Sequence, residues 1–196
     1  MDAIDIVKNY LNGELSSESF QKEIYQNKGL ECFLSEDIDV PPYTNLGSAY
    51  LYLIENDVLS PSGELNGKDL LSNFLTKKGI SYIVNSDYKE TYEILRKVQP
   101  SWIDLPNNYI KFIFELHKGK TGKELEKELK SYIDSEFQWL KKKPKWVQSP
   151  DWPIVNNKPL FFIDQVDISK IKHDTSWLYI FYNEEDKHYI TIEQSM

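Results

Sequence analysis

Apolar positions recur at helical spacing through the first three quarters of the chain and alternate in the last quarter. Ile4, Val7 and Leu11 fall at i, i+3 and i+7 and predict a first helix, closed by Gly13 in the C-terminal cap position. Ser16 and Ser17 are in place to cap a second helix, with Phe20, Ile24 and Tyr25 facing inward. Leu30 to Leu34 predicts a short third helix, which must stop before Pro41-Pro42 because proline cannot continue the hydrogen-bond ladder. Leu46, Tyr50, Leu53 and Ile54 keep the helical spacing. Ala49, Leu51 and Tyr52 make this segment apolar nearly all round, the pattern of a central helix. Pro61-Ser62-Gly63 reads as a turn before a helix capped by Asn66, with Leu70, Leu71, Phe74 and Leu75 inward and Gly79 at its end. Tyr88, Tyr92, Leu95 and Val98 mark the next helix, stopped by Pro100, and Tyr109, Phe112, Ile113 and Leu116 mark another.

The longest stripe runs through Leu125, Leu129, Tyr132, Ile133, Phe137 and Leu140. Thr121 and Glu124 have the spacing of a capping box at its start, and Glu126 and Lys130 pair on its outer face. Lys141-Lys142-Lys143 before Pro144 suit the negative end of that helix dipole. The alternative for these lysines is a nucleic-acid patch with Trp139 and Trp146 as stacking rings. After Pro144 the period becomes two. Asn156-Asn157 predicts a tight turn folding Trp152–Val155 back on Leu160–Ile163. Pro159 to Ile168, Trp177 to Tyr182 and Lys187 to Gln194 predict strands, the second apolar on both faces and therefore an inner one. Ile80 to Val84 is the one earlier segment with strand character. The expected fold class is α+β: a mostly helical N-terminal three quarters, residues 1–143, packed on a small C-terminal antiparallel sheet, residues 144–196, as one compact unit.

Charge sharpens this picture. The chain has 196 residues with 31 acidic and 23 basic side chains, a net of −8, and its first sixty residues alone hold 11 acids and 3 lysines. Such an imbalance fits either a surface that attracts a basic partner or a solvated face that keeps the protein soluble. An acidic chain is a poor general binder of phosphates, so no direct nucleic-acid contact is expected. No apolar run is long enough to span a membrane, and the acidic start does not read as a secretory signal, so a cytoplasmic location is expected. The single cysteine, Cys32, excludes an internal disulfide, and the absence of a cation beside it in sequence predicts a small core residue rather than a nucleophile.

Catalytic signatures are missing. There is no phosphate-binding glycine loop, no dinucleotide fingerprint, no His-Glu-x-x-His and no Gly-x-Ser-x-Gly. The histidines His117, His173 and His188 fall at a helix end, in a loop and on a strand. His173-Asp174 near Asp164 or Asp167 is the nearest approach to an acid/base pair or partial metal site, and Glu184-Glu185-Asp186 to a cation site. Neither amounts to a constellation, so a non-enzyme with no cofactor and no metal site is expected.

The run Trp152-Pro153, then Pro159-Leu160-Phe161-Phe162-Ile163-Asp164-Gln165-Val166-Asp167-Ile168, then Trp177-Leu178-Tyr179-Ile180-Phe181-Tyr182 resembles the YwqG-like bacterial proteins. The resemblance covers the C-terminal segment only and implies no catalytic residue, since that family has no agreed activity. Gln165 stands among apolar neighbours in it, and an amide buried there needs both ends bonded, so it is expected to staple the sheet to a neighbouring backbone. The layout as a whole is similar to immunity proteins of bacterial polymorphic-toxin and contact-dependent inhibition systems. That resemblance implies a cognate toxin domain, a nuclease by preference, as partner. A housekeeping YwqG-like protein with a scaffolding role is the alternative. For a partner surface, Glu36, Asp37, Asp39, Glu55 and Asp57 are the expected contacts: the first three sit in a loop before Pro41-Pro42, the others at the end of the helix that follows. Should that surface fail, the sheet around Trp152 and Trp177 is the next expectation.

Overall fold

A computed structural model describes all residues, 1–196. The chain divides into two compact units, residues 1–93 and 94–196. Unit 1 contains α1 (Ala3–Asn12), α2 (Ser17–Gln26), α3 (Lys28–Leu34), α4 (Ala49–Glu55) and α5 (Pro61–Lys77). The helix α6 (Asp87–Val98) starts in unit 1 and ends in unit 2. Unit 2 continues with α7 (Asn107–Leu116), α8 (Gly122–Glu136), β1 (Ile154–Val155), β2 (Lys158–Pro159), β3 (Phe161–Asp167), β4 (Ser176–Asn183) and β5 (His188–Ser195). The class is α+β, with helices before strands. The change of secondary structure comes near Pro144, whereas the units divide within α6, so α7 and α8 belong with the sheet.

In unit 1 the inward stripe of α1 is Ile6, Val7, Tyr10 and Leu11, and Tyr10 stacks on Phe20 of α2 with ring centroids 3.9 Å apart. From α5, Leu70, Leu71, Phe74 and Leu75 enter the same core. Lys68 is only 5% exposed; its ammonium meets Glu64 at 2.8 Å and lies over the rings of Tyr10 and Tyr88 at 5.0 and 4.5 Å. A cation this deeply placed needs an anion and polarisable faces around it, and these three side chains supply both. Ser16 caps α2 through the Ser19 amide, and Asn27 ends α2 while capping α3 through the Leu30 amide.

Several boundaries differ from the sequence reading. The helix α5 begins at Pro61 with Ser60 as its cap, so Pro61-Ser62-Gly63 is the first helical turn and Asn66 lies inside the helix. Proline tolerates that first position because its missing amide would have had no partner there. Gly63 is required by close approach, since a β-carbon would sit 1.8 Å from the Asp57 carbonyl oxygen. The helix α4 starts only at Ala49 and buries Ala49 and Leu53, leaving Leu46 and Leu51 in solvent, so it is a surface helix rather than a central one. Residues 80–84 form no strand. Thr121 makes no side-chain cap bond, and the Glu124 carboxylate, the reciprocal half of the expected box, is taken by Lys120 at 2.6 Å. The helix α8 stops at Glu136, and Leu140 is exposed.

In unit 2 the order of the three-stranded antiparallel sheet is β3-β4-β5, with β4 central as its apolar faces predict. The hairpin β1-β2 turns at Asn156-Asn157, both with positive φ, as that pair favours. Just past α8, Trp139 forms a parallel bridge to Phe162: the Phe162 amide donates to the Gln138 carbonyl (3.0 Å) and the Leu140 amide to the Phe162 carbonyl (2.9 Å). Trp152 is the hub of the core, with its ring against Trp102, Phe137, Phe162 and Phe181 at centroid distances of 5.3–6.0 Å. Its indole N–H donates to the Leu160 carbonyl at 2.8 Å.

An irregular strap, residues 145–149, crosses the same face of the sheet. The Lys145 amide donates to Gln165 Oε1 (2.7 Å), and Gln165 Nε2 donates back to the Lys145 carbonyl (3.3 Å). The Tyr179 hydroxyl accepts from the Val147 amide (3.0 Å) and donates to the Lys145 carbonyl (2.9 Å). Gln194 Oε1 accepts from the Gln148 amide (3.1 Å), and its Nε2 donates to the Ser149 carbonyl (2.9 Å). One side chain from each of β3, β4 and β5 therefore holds the strap, and Gln165 is the staple its sequence setting implies.

Two predictions follow from this packing. Tyr179→Phe keeps the ring and leaves the Val147 amide without its partner, so unfolding free energy should fall by about 1–3 kcal/mol; denaturant titration measures it, and hydrogen exchange should show the Val147 amide losing protection. Tyr10 and Tyr109 bury their hydroxyls, and burial pushes both phenols well above their ordinary value. The unfolded chain then loses these protons first, near pH ~10. The contribution of both groups is complete below that pH and disappears as pH rises beyond it. Tyrosinate absorbance should rise in two phases, the second coinciding with loss of the circular dichroism signal.

Candidate functional site

The charge imbalance belongs to unit 1, which holds 16 acids against 7 lysines, a net of −9, while unit 2 holds 15 acids against 16 bases, a net of +1. Glu36, Asp37, Asp39, Glu55 and Asp57 are all exposed. Glu36, Asp37 and Asp39 line a shallow cleft of about 370 Å³ together with Thr44, Gly47 and Ser48, the cap of α4. Glu55 and Asp57 lie outside that cleft, at the other end of α4; seven residues at ~1.5 Å each place them roughly 10 Å along its axis. Leu51 and Glu55, four residues apart, share the solvent face of the helix, and Leu46 just before it is fully exposed.

These carboxylates are not equivalent. Glu36 is ion-paired with Lys78, and the Lys77 ammonium donates to the Asp39 carbonyl, so α5 anchors the loop. The Asp39 carboxylate accepts from the Thr44 hydroxyl at 3.3 Å, and the Asp57 carboxylate from the Leu59 amide at 3.1 Å. Asp37 and Glu55 have no partner within the chain. Sequence reasoning ranked the five alike because residue type does not show which acid folding already uses.

The other candidates separate. His117 ends α7, with its Nδ1 2.7 Å from the Ile113 carbonyl and its ring against Tyr132. His173 precedes β4 and His188 pairs with the far end of it, so about 23 Å of strand lies between them. Interaction with the Ser169 hydroxyl, and a bond accepted from the Ser169 amide, hold the Asp167 carboxyl below the usual carboxylate range, and no bond joins Asp164 or Asp167 to His173. No group of three or more His, Cys, Asp and Glu is placed to hold a metal ion. Cys32 is exposed, correcting the expectation of a core residue: Leu30 and Leu34 take the buried face of α3, and Cys32 points away from it. Trp152 is buried and Trp177 lies on the covered face of the sheet, so neither forms a surface.

A second cleft, of about 280 Å³, lies in unit 2 beside the end of α8, the β1-β2 hairpin and the β4-β5 turn. Within it Lys158 meets Glu185 at 2.6 Å. Bonding to Glu185, with Glu136 and Glu184 also near, raises the ammonium above its ordinary value and lowers the Glu185 carboxyl. The bridge therefore favours the fold above the ordinary carboxylate pKa, and its contribution is lost as pH falls through the lowered one. Its role is to tie the hairpin to the turn.

No protein-family model, curated protein or solved structure matches the chain. No helix is long and apolar enough to cross a membrane. Replacing His117, His173 and His188 together by alanine should leave partner binding intact in a protein that still folds by circular dichroism. A folded triple variant that loses binding would restore the acid/base or metal reading.

Proposed function

We propose that this protein is a non-catalytic immunity protein that binds and neutralises a cognate bacterial toxin, a nuclease by preference, through the acidic surface of unit 1. The concentration of charge carries the reading: unit 1 has a net of −9 in a protein of −8. A nuclease must hold a polyanion in a basic cleft, so carboxylates that stand in for phosphates compete for it directly, and long-range attraction accelerates capture. Exposed Leu46 and Leu51 between the acidic cleft and Glu55 add apolar contacts of the kind that slow dissociation.

Co-expression with the product of the adjacent gene, followed by pull-down, tests for the partner. For the surface, the informative variant is Asp37→Lys with Glu55→Lys, since neither carboxylate has an internal partner and the fold should be untouched. Association with a basic toxin at low ionic strength should slow roughly tenfold, and the difference should shrink as salt rises. Glu36→Lys also breaks the pair with Lys78 and mixes the two effects. An unchanged rate together with a salt-independent wild type places the interface elsewhere.

A further inference from the structure

Lys141, Lys142, Lys143 and Lys145 are four exposed cations within five residues of an acidic protein. The sequence reading assigned the first three to the dipole of α8. That assignment fails, because the helix ends at Glu136, with the Phe137 amide closing the last turn on the Ile133 carbonyl. The dipole's influence fades within the final turn, and the lysines lie beyond it. Nor do they serve ion pairs. Lys97, Lys120, Lys130, Lys158 and Lys172 each meet a carboxylate, whereas these four, like the scattered Lys123, Lys127, Lys170 and Lys187, meet none; what sets the four apart is that they stand together within five residues. Repulsion among these neighbouring cations is thus offset by no carboxylate in the fold.

The backbone beneath them is fixed. The parallel bridge at Trp139 holds one end, and the two bonds between Gln165 and the Lys145 backbone hold the other. Aromatic rings sit beside the charges. Trp139 is 38% exposed and meets Trp102 edge-on at 5.5 Å, and the Lys143 ammonium lies 5.3 Å from the centre of the Trp102 ring. Trp146, the other ring suggested by the sequence, is instead engaged inside: its indole donates to the Trp102 carbonyl and its ring lies on Tyr179. An accessible indole beside a pre-positioned row of unpaired cations is the arrangement that takes a phosphodiester track along the charges and a base on the ring.

The geometry points to a binding surface for single-stranded nucleic acid on unit 2, made by Trp139 with Lys141, Lys142 and Lys143. It is independent of the partner proposed for unit 1, and it replaces the expectation of no direct nucleic-acid contact. Duplex is disfavoured because the surface is irregular backbone, with no helix or ribbon to enter a groove. A membrane is disfavoured because only Trp139 and Leu140 offer apolar area, with no amphipathic helix to lie in the interface.

Fluorescence anisotropy of the full chain with labelled oligothymidylate and oligouridylate of about twelve nucleotides, at low salt, tests this. Binding should weaken with salt at a log–log slope of about −2 to −3, as expected for three or four phosphate contacts on a single strand. Lys141→Ser, Lys142→Ser and Lys143→Ser together should abolish most of that slope. Trp139→Ala should lower affinity roughly tenfold with the slope kept, and Trp139→Phe should recover most of the loss. Lys123→Ser, Lys127→Ser and Lys170→Ser together, equal in charge but elsewhere, should have little effect. Thermal melts confirm that each variant is folded. The proposal is overturned if the wild type binds neither oligonucleotide, if the Trp139→Ala variant or the triple lysine variant binds as well as the wild type, or if heparin or phosphatidylserine vesicles compete with the oligonucleotides and are bound with the same affinity and the same dependence on Trp139.

Discussion

A backbone that leaves water must place every N–H and C=O, and the strap at residues 145–149 meets this demand without belonging to any ladder. It crosses β3, β4 and β5, where strand pairing cannot reach it, so side chains supply the partners. Gln165 and Gln194 are suited to this because an amide carries a donor and an acceptor at one end of a short side chain and mimics a peptide group. Tyr179 does the same with a single oxygen, accepting from Val147 and donating to Lys145. Gln165 and Tyr179 are cross-strand partners, and Gln194 is paired with Trp177, two residues along β4, so all three side chains emerge from one face. Trp146 enters that face because the strap is held there, and its indole ties the segment to Trp102. The order of unit 2 from Trp102 to β5 thus depends on six hydrogen bonds between side chains and a crossing backbone.

Legibility in the sequence followed the range of the interactions. The change of hydrophobic period, the Asn156-Asn157 turn and the central position of β4 rest on neighbours in sequence or on one strand's own two faces, and each appears in the structure. The Gln165 staple was legible for a different reason: a polar amide in an apolar strand has few ways to be satisfied. Where a distant group intervened, the reading slipped. Leu140 continues the spacing of the α8 stripe, but pairing of residues 138–140 with Phe162 claims that backbone and ends the helix sooner. Lys120 takes the Glu124 carboxylate that a capping box would turn back to the Thr121 amide, and a proline followed closely by a glycine reads as a turn unless Ser60 is seen to cap it. Cys32 was a misreading of local pattern, since its place two residues from both Leu30 and Leu34 already puts it on the opposite side of α3.

The candidate site was legible in kind and not in detail. Counting acids along the chain located the excess, and it falls within unit 1, whose residues 61–93 add a net of only −1 to the −8 of the first sixty. Which acids are free depends on lysines some forty residues away, Lys77 and Lys78 on α5, whose reach to the loop is a tertiary fact. These contacts give the loop two properties at once. They fix its backbone, which lowers the ordering cost of any complex, and they neutralise part of its charge. Asp37 and Glu55 keep theirs because no cation was placed beside them.

The two surfaces also differ in what folding asks of them. The free carboxylates of unit 1 stand on α4 and on a loop that is itself anchored, so their charge is separable from the core. The lysines of unit 2 stand on the backbone that the Gln165 staple and the Trp139 bridge hold in place, so their position is inseparable from it. Polar groups that leave water inside a protein are kept by their partners. Scattered surface charges need only water, but a run of four within five residues, with no carboxylate beside it, costs stability through mutual repulsion. What the fold does not need, in a segment it holds this firmly, is better accounted for by something outside the chain.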